Sequence, residues 1–232
     1  MAARRLAIVT GANRGIGLEV VRQLAERDYT VVLGSRDLAN GQAAAGRIGG
    51  GEHVLVRRLD VTDQPSIDGL RDEIAHAFGA VHALVNNAGA HYERERVANS
   101  DVDAAHDSFD TNFFGAWRMC RAFVPLLRQT GHGRIVNVSS EAGSVGEINR
   151  QAPPAYAISK AALNLLTRLL AAELEPDGIL VNAVSPGWVA TDMGGPGGRP
   201  AAEGAASVVW AVELADGGPT GGFFRDGKPV PW

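Results

Sequence analysis

Thr10-Gly11-Ala12-Asn13-Arg14-Gly15-Ile16-Gly17 follows the apolar run 6–9 and opens into a helical pattern that begins at residue 16. Three glycines therefore occupy a turn between a strand and a helix. A side chain at such a glycine would block the tight turn, the approach of a ligand to the backbone, or the packing of helix on strand. The helix start contributes free N–H groups and the positive end of its dipole, which together cradle phosphate. Taken alone the pattern fits an ordinary glycine-rich turn. The strand before it and the helix after it make Gly11, Asn13, Arg14, Gly15, Ile16 and Gly17 candidates for binding a dinucleotide.

Outward from this turn, short apolar runs alternate with longer helical patterns through nearly the whole chain. Strands are expected at 6–9, 30–33, 54–59, 83–85, 134–138, 180–184 and 222–224, and helices near 16–27, 38–47, 66–78, 102–129, 155–174 and 202–214. Continuously apolar strands separated by helices imply a parallel sheet covered on both faces. The expectation is a single α/β domain over residues 1–232, a doubly wound Rossmann-type sheet of about seven strands with helices on both faces. In that architecture ligands bind beyond the carboxyl ends of the strands. Many of the 29 glycines fall there, an excess over the roughly 7% of average chains that no collagen-like repeat or disordered tract accompanies.

Composition narrows the partners. With 22 Lys and Arg against 26 Asp and Glu the chain is slightly acidic, which argues against nucleic-acid binding and anionic membrane surfaces. No window approaches the roughly 20 apolar residues of a membrane span. A single cysteine, Cys120, excludes a disulfide framework and a cysteine metal cluster and points to a reducing compartment, hence the cytoplasm. The six histidines show no ligand spacing, so no metal is expected.

Strand two ends in Leu33-Gly34-Ser35-Arg36, with no carboxylate to accept a ribose 2′-hydroxyl. Arg36 and Arg14 suit a 2′-phosphate instead, at roughly 1.5 to 3 kcal/mol for each charge-assisted bond, which favours NADP(H) over NAD(H). The competing reading is a pair of solvated surface arginines. Asp60-Val61 follows strand three, where Asp60 either accepts from an adenine amine or caps the helix starting near Thr62. Asn86-Asn87-Ala88-Gly89 follows strand four, Asn112 lies in a long helical stretch, Ser139-Ser140 closes strand five, and Tyr156 and Lys160 stand on one face of the next helix.

Together these motifs resemble the short-chain dehydrogenase/reductase family, which carries such a glycine turn, Asn-Asn-Ala-Gly, a strand-end serine, Tyr-x-x-x-Lys and Pro-Gly after strand six in that order. The resemblance spans essentially the entire chain. Ser35-Arg36-Asp37, the segment Pro186-Gly187-Trp188-Val189-Ala190-Thr191-Asp192-Met193 and the terminal Trp232 look like the NADPH-dependent carbonyl reductase branch. The resemblance implies reduction of a ketone or aldehyde with NADP(H), with Tyr156 as proton donor, Lys160 as its activator and a ribose ligand, Ser140 as carbonyl orienter and Asn112 as holder of a water relay. It further implies that Asn87, Ala88, Gly89, Pro186, Gly187, Val189 and Thr191 contact the cofactor.

A Lys160 ammonium about 4 Å from the phenol would favour the phenolate by about 4 kcal/mol at an effective dielectric near 20, drawing Tyr156 toward neutral pH. The Ser140 to Tyr156 interval exceeds the family's usual spacing by a few residues. It is nevertheless much shorter than the insertion of the monomeric animal carbonyl reductases, whose oligomeric state and substrates are therefore not transferred. Substrate loops are expected at 90–97, including His91 and Tyr92, at 141–155, and at 188–200. In the last of these the run Gly194-Gly195-Pro196-Gly197-Gly198 reads as a hinge and lid or as a plain surface loop. Residues 102–129 and 155–174 resemble the family's dimer surface, so a homo-oligomer, dimer or tetramer, is expected. Two alternatives are a 3-oxoacyl-carrier-protein or other β-keto thioester reductase, which would need a basic docking patch not evident here, and a non-catalytic NADP sensor, which would not need Ser140, Tyr156 and Lys160 together.

Overall fold

A computed structural model describes residues 4–49, 51–91, 95–147 and 152–232. Eight strands form one sheet in the order β3-β2-β1-β4-β5-β6-β7-β8. They are β1 (Arg5–Val9), β2 (Tyr29–Ser35), β3 (Val54–Arg58), β4 (Ala83–Asn86), β5 (Arg134–Val138), β6 (Leu180–Val184), β7 (Phe223–Arg225) and β8 (Lys228–Pro229). The first seven run parallel and β8 returns antiparallel to β7. This extra strand is one departure from the seven expected. Its cause is local: Asp226 and Gly227 both have positive φ, 51° and 73°, as a two-residue hairpin turn requires.

The helices are α1 (Gly15–Ala25), α2 (Leu38–Ile48), α3 (Gln64–Phe78), α4 (Val102–Phe109), α5 (Ala116–Arg128), α6 (Pro154–Leu174) and α7 (Ala201–Val212). Alternation along β1 assigns the layers. Leu6 and Ile8 pack with residues of α3, α5 and α6 on one face, while Ala7 and Val9 pack with residues of α1, α2 and α7 on the other. Sequence order reverses between β1 and β4, the switch point at which a crevice opens beyond the strand ends.

The continuous helix expected over 102–129 is interrupted. Asp110–Gly115 forms a π-helical turn between α4 and α5, and its wider winding carries buried Asn112 toward the crevice. Asn112 binds both backbone groups of Ala90, accepting from its N and donating to its O at 2.8 Å each. Its Nδ2 also donates to Ser159 Oγ at 2.9 Å. An amide side chain thus takes the place of a missing strand partner for the segment leaving β4.

Candidate active site

A crevice of about 730 Å³ lies at the switch point. Its floor is the glycine turn: Gly11, Asn13, Arg14, Gly15, Ile16 and Gly17 all line it. A Cβ on Gly17 would sit 2.3 Å from Asn87 Nδ2 and 2.9 Å from Gly11 O, so only glycine permits this approach of turn to β4. Thr10 completes the junction: its hydroxyl oxygen accepts from the backbone N–H groups of Asn87 (3.0 Å) and Ala88 (2.9 Å), while Asn87 Nδ2 donates to Thr10 O and Gly11 O. Sequence reading passed over Thr10 because a threonine at a strand end has no distinguishing pattern of its own.

At one end of the crevice stand Arg14 and Arg36, with Asp60 and Val61 nearby. Arg14 Nη1 meets Asp192 Oδ2 at 2.8 Å across the crevice mouth, both side chains being largely exposed. Asp60 does not cap α3, whose N-cap position is Asp63; its Oδ1 accepts from Thr62 N at 3.0 Å and Thr62 Oγ1 at 2.7 Å in the turn before the helix, and the residue lines the crevice.

At the other end, Ala88, Gly89, Tyr156, Lys160 and Pro186 form the wall. Ser139 and Ser140 separate as the strand pleat demands. The Ser139 hydroxyl turns inward to Asn164 Oδ1 at 2.6 Å, while Ser140 Oγ accepts from Ala142 N at 3.1 Å and stands close enough to the Tyr156 phenol to favour its ionised form. The Lys160 ammonium is buried, donates to Val138 O at 2.8 Å, and lies 5.6 Å from the centre of the Tyr156 ring. His91 lines the crevice and meets the Tyr156 ring edge-on at 6.3 Å; Tyr92 lies outside the described residues.

The electrostatics correct one expectation. Tyr156 is not drawn down by Lys160: burial pushes the phenol above its ordinary value, opposed by the hydrogen bond from Ser140. The same burial lowers Lys160 to about 8. Desolvation penalises each charged form, and the ammonium is directed to a carbonyl rather than to the phenolic oxygen.

After β6, Ala190, Thr191, Asp192 and Met193 border the crevice, whereas Val189 is packed inside and Gly187 turns the chain at φ 71°. The glycine-rich run read as a hinge is cross-braced. Val189 bridges Arg199, Thr191 bridges Gly195, Trp188 Nε1 donates to Gly194 O at 2.9 Å, and Arg199 holds both Asp226 (2.9 Å) and Pro186 O (2.8 Å). Among the described residues no group of three or more His, Cys, Asp or Glu is placed to hold a metal, and no helix is long and apolar enough to cross a membrane.

Ser139 rather than Ser140 is among the residues lining the crevice, and a switch-point crevice floored by a glycine turn and walled by tyrosine and lysine defines a dinucleotide-dependent oxidoreductase site. The model of the short chain dehydrogenase family matches residues 5–199, and the chain belongs to that family. It is 34% identical to carbonyl reductase (NADPH) 1 of Bos taurus, with 98% of each chain covered. That alignment spans 274 positions against a chain of 232 residues, so the bovine protein carries at least 42 residues without a counterpart here. Short-chain dehydrogenase/reductase 1 of Saponaria officinalis is 32% identical, covering 100% of this chain and 97% of its own. Among solved structures, the NADPH-bound carbonyl reductase from chicken fatty liver superposes with a TM-score of 0.89 at 28% identity, covering 99% of both chains.

Proposed function

We propose that the protein is an NADPH-dependent carbonyl reductase that converts a ketone or aldehyde to the alcohol, working as one cofactor-binding domain of the cytoplasm. The observation that supports this reading is one crevice lined by Tyr156 and Lys160 and by Arg14 and Arg36, with Ser140 close enough to Tyr156 to favour the ionised phenol. The crevice residues fit a dinucleotide: the cradle at Gly17 leaves no room for a side chain, and no carboxylate ends β2. Gly11 to Gly17 would hold the pyrophosphate, Arg14 and Arg36 the 2′-phosphate, and Asp60 and Val61 the adenine. Asn87 to Gly89, Tyr156 and Lys160 would hold the nicotinamide ribose, and Pro186, Gly187, Val189 and Thr191 the carboxamide. A bound reduced nicotinamide supplies the hydride.

The chain's own residues supply the rest. Ser140 orients the substrate oxygen beside the Tyr156 hydroxyl, which gives up its proton as negative charge gathers on that oxygen. Keeping the phenol protonated suits a proton donor, and burial does so here. Lys160, held by Val138 O, keeps its ammonium 5.6 Å from the centre of the Tyr156 ring, on the same wall of the crevice. Asn112 holds the Ala90 segment that backs the site. Exposed Trp188, Met193 and Val145 give the flanking loops an apolar character suited to an apolar carbonyl compound.

Homo-oligomer formation belongs to the same reading. Phe114 and Trp117 on one side and Ile158, Leu165 and Leu169 on α6 expose large apolar side chains, and the last three recur at helical spacing along one stripe. Light scattering on the purified protein distinguishes monomer, dimer and tetramer.

The deciding experiment is NADPH oxidation across a panel of aldehydes, ketones, dicarbonyls and β-keto thioesters, repeated with NADH. Turnover of simple carbonyls with NADPH supports the reading. Absence of oxidation with every carbonyl sinks it, and equal rates with NADH sink the part assigned to Arg14 and Arg36.

A further inference from the structure

Serine and tyrosine reach the crevice on different elements, β5 and α6, so their alignment depends on how those two elements are fastened. The fastening is polar and runs residue by residue. Asn137 Nδ2 donates to Thr167 Oγ1 (2.9 Å), Lys160 Nζ donates to Val138 O (2.8 Å) and Ser139 Oγ donates to Asn164 Oδ1 (2.6 Å), while the Ser140 hydroxyl stands close enough to Tyr156 to favour the ionised phenol. On α6 the partners Tyr156, Lys160 and Asn164 recur every fourth residue, with Thr167 three further on, which is one helix face. Five of the members are close to fully buried: Asn137 at 0%, Ser139 at 2%, Lys160 at 3%, Asn164 at 4% and Thr167 at 0% exposure.

Asn164 does more than close this seam. Its Nδ2 donates to Gly143 O at 3.2 Å, gripping the short helical turn Glu141–Gly143 that follows Ser140. That turn in turn holds the serine: Gly143 N donates to Ser140 O at 2.9 Å and Ala142 N donates to Ser140 Oγ at 3.1 Å. The turn lies directly against α6, since a Cβ on Gly143 would come within 2.7 Å of the Lys160 carbonyl carbon. Both ends of the Asn164 amide are thus used to hold Ser139, just before Ser140, and Gly143, at the end of the turn after it, and Asn164 is not among the residues lining the crevice.

We infer that Asn164 is a positioning residue for the reduction: through Ser139 and the Glu141–Gly143 turn it aims the Ser140 hydroxyl at Tyr156. This rests on the reductase reading above. A buried amide whose two partners are a strand hydroxyl and a turn carbonyl adds little net stability compared with an apolar pair of the same shape. What it adds is a single geometry, and a serine displaced by about 1 Å forfeits about a hundredfold in rate.

The test compares Asn164→Leu and Ser139→Ala in the wild-type background with Asn164→Leu in a Ser140→Ala background. Carbonyl reduction by the full chain, NADPH affinity by fluorescence titration and thermal midpoint are read for each. A positioning role predicts that Asn164→Leu lowers kcat by about tenfold or more, with carbonyl KM and NADPH affinity within about twofold. In the Ser140→Ala background the same substitution then costs less than about twofold, because the hydroxyl it aims is gone. Ser139→Ala removes one hydroxyl from the seam and repeats the kcat loss in smaller measure, which keeps the inference exposed if Asn164→Leu does not fold. An unchanged kcat in Ser139→Ala and Asn164→Leu, or equal losses with and without Ser140, overturns it. Failure of the reductase reading is distinct, because there the unmodified protein reduces none of the carbonyls.

Discussion

The two ends of the crevice recognise charge by opposite means. Arg14 and Arg36, proposed to meet the adenosine 2′-phosphate, stand exposed, and Arg14 shares a solvent-screened ion pair with Asp192. At the end proposed for the reaction Lys160 is buried against a carbonyl, and half-buried Tyr156 lines the crevice with its phenol pushed above the ordinary value. The contrast follows from the work each end is proposed to do. A phosphate carries its own charge and needs counter-charge from mobile cations, whereas a proton donor must keep its proton until negative charge gathers on the substrate oxygen.

The largest test of this contrast is at the reaction end. Tyr156→Phe keeps the ring and its packing but has no proton to give, so carbonyl-dependent NADPH oxidation is expected to fall by about 10² to 10⁴-fold with NADPH affinity retained. Full turnover in that variant would remove Tyr156 from the mechanism.

Next in size is a stability effect without cofactor. Lys160 has a folded-state value of about 8 against an ordinary 10.5, so the unfolded chain binds more protons between those two pH values. The cost of burying the ammonium is therefore fully present below pH 8 and disappears as pH rises toward 10.5. Lys160→Met is expected to stabilise the cofactor-free protein at pH 7 by up to about 3 kcal/mol, with the gain fading toward pH 10 while activity is lost. Thermal or urea midpoints measured across that pH range check it; a gain that grows with pH reverses the assignment.

The adenosine end should respond more modestly and with a salt dependence. Arg36→Ala is expected to weaken NADPH binding by about tenfold or more while leaving NADH binding nearly unchanged. Titrations with both cofactors at low and high salt read this directly, and equal weakening of the two would place Arg36 away from the 2′-phosphate. Smallest is Asp192→Asn. It frees Arg14 from an exposed pair worth at most about 1 kcal/mol, so NADPH affinity should rise by about fivefold or less at low salt and the gain should vanish at high salt.

The parts of the molecule legible in the sequence were those written in local patterns. The parallel strands declared themselves as short apolar runs, and the glycine turn was recognisable because its strand and helix flank it directly. The strand pleat implied that only one of Ser139 and Ser140 can face the substrate, the family resemblance chose Ser140, and the two hydroxyls do take different partners, Asn164 Oδ1 and Ala142 N. Harder to read were features closed by distant residues. Asn112 looked like part of one long helix because a π-helical turn leaves no mark in apolar periodicity; its reason is the Ala90 backbone, 22 positions away. The Asp226-Gly227 dipeptide did carry a hairpin signal that was passed over, since the strand it returns is only two residues long.

By itself the sequence determined which chemical groups are present, their order along the chain and the side of each element they occupy, because helix and strand periods are properties of the local backbone. It thereby determined the layered sheet, the position of the crevice and the serine, tyrosine and lysine beside it. Tertiary structure alone decided the direction in which Tyr156 and Lys160 titrate, the partner that Lys160 takes, and the seam by which Asn164 joins β5 to α6. Those depend on the exclusion of water and on hydrogen bonds between segments far apart in the chain, and both come into being only when the elements pack.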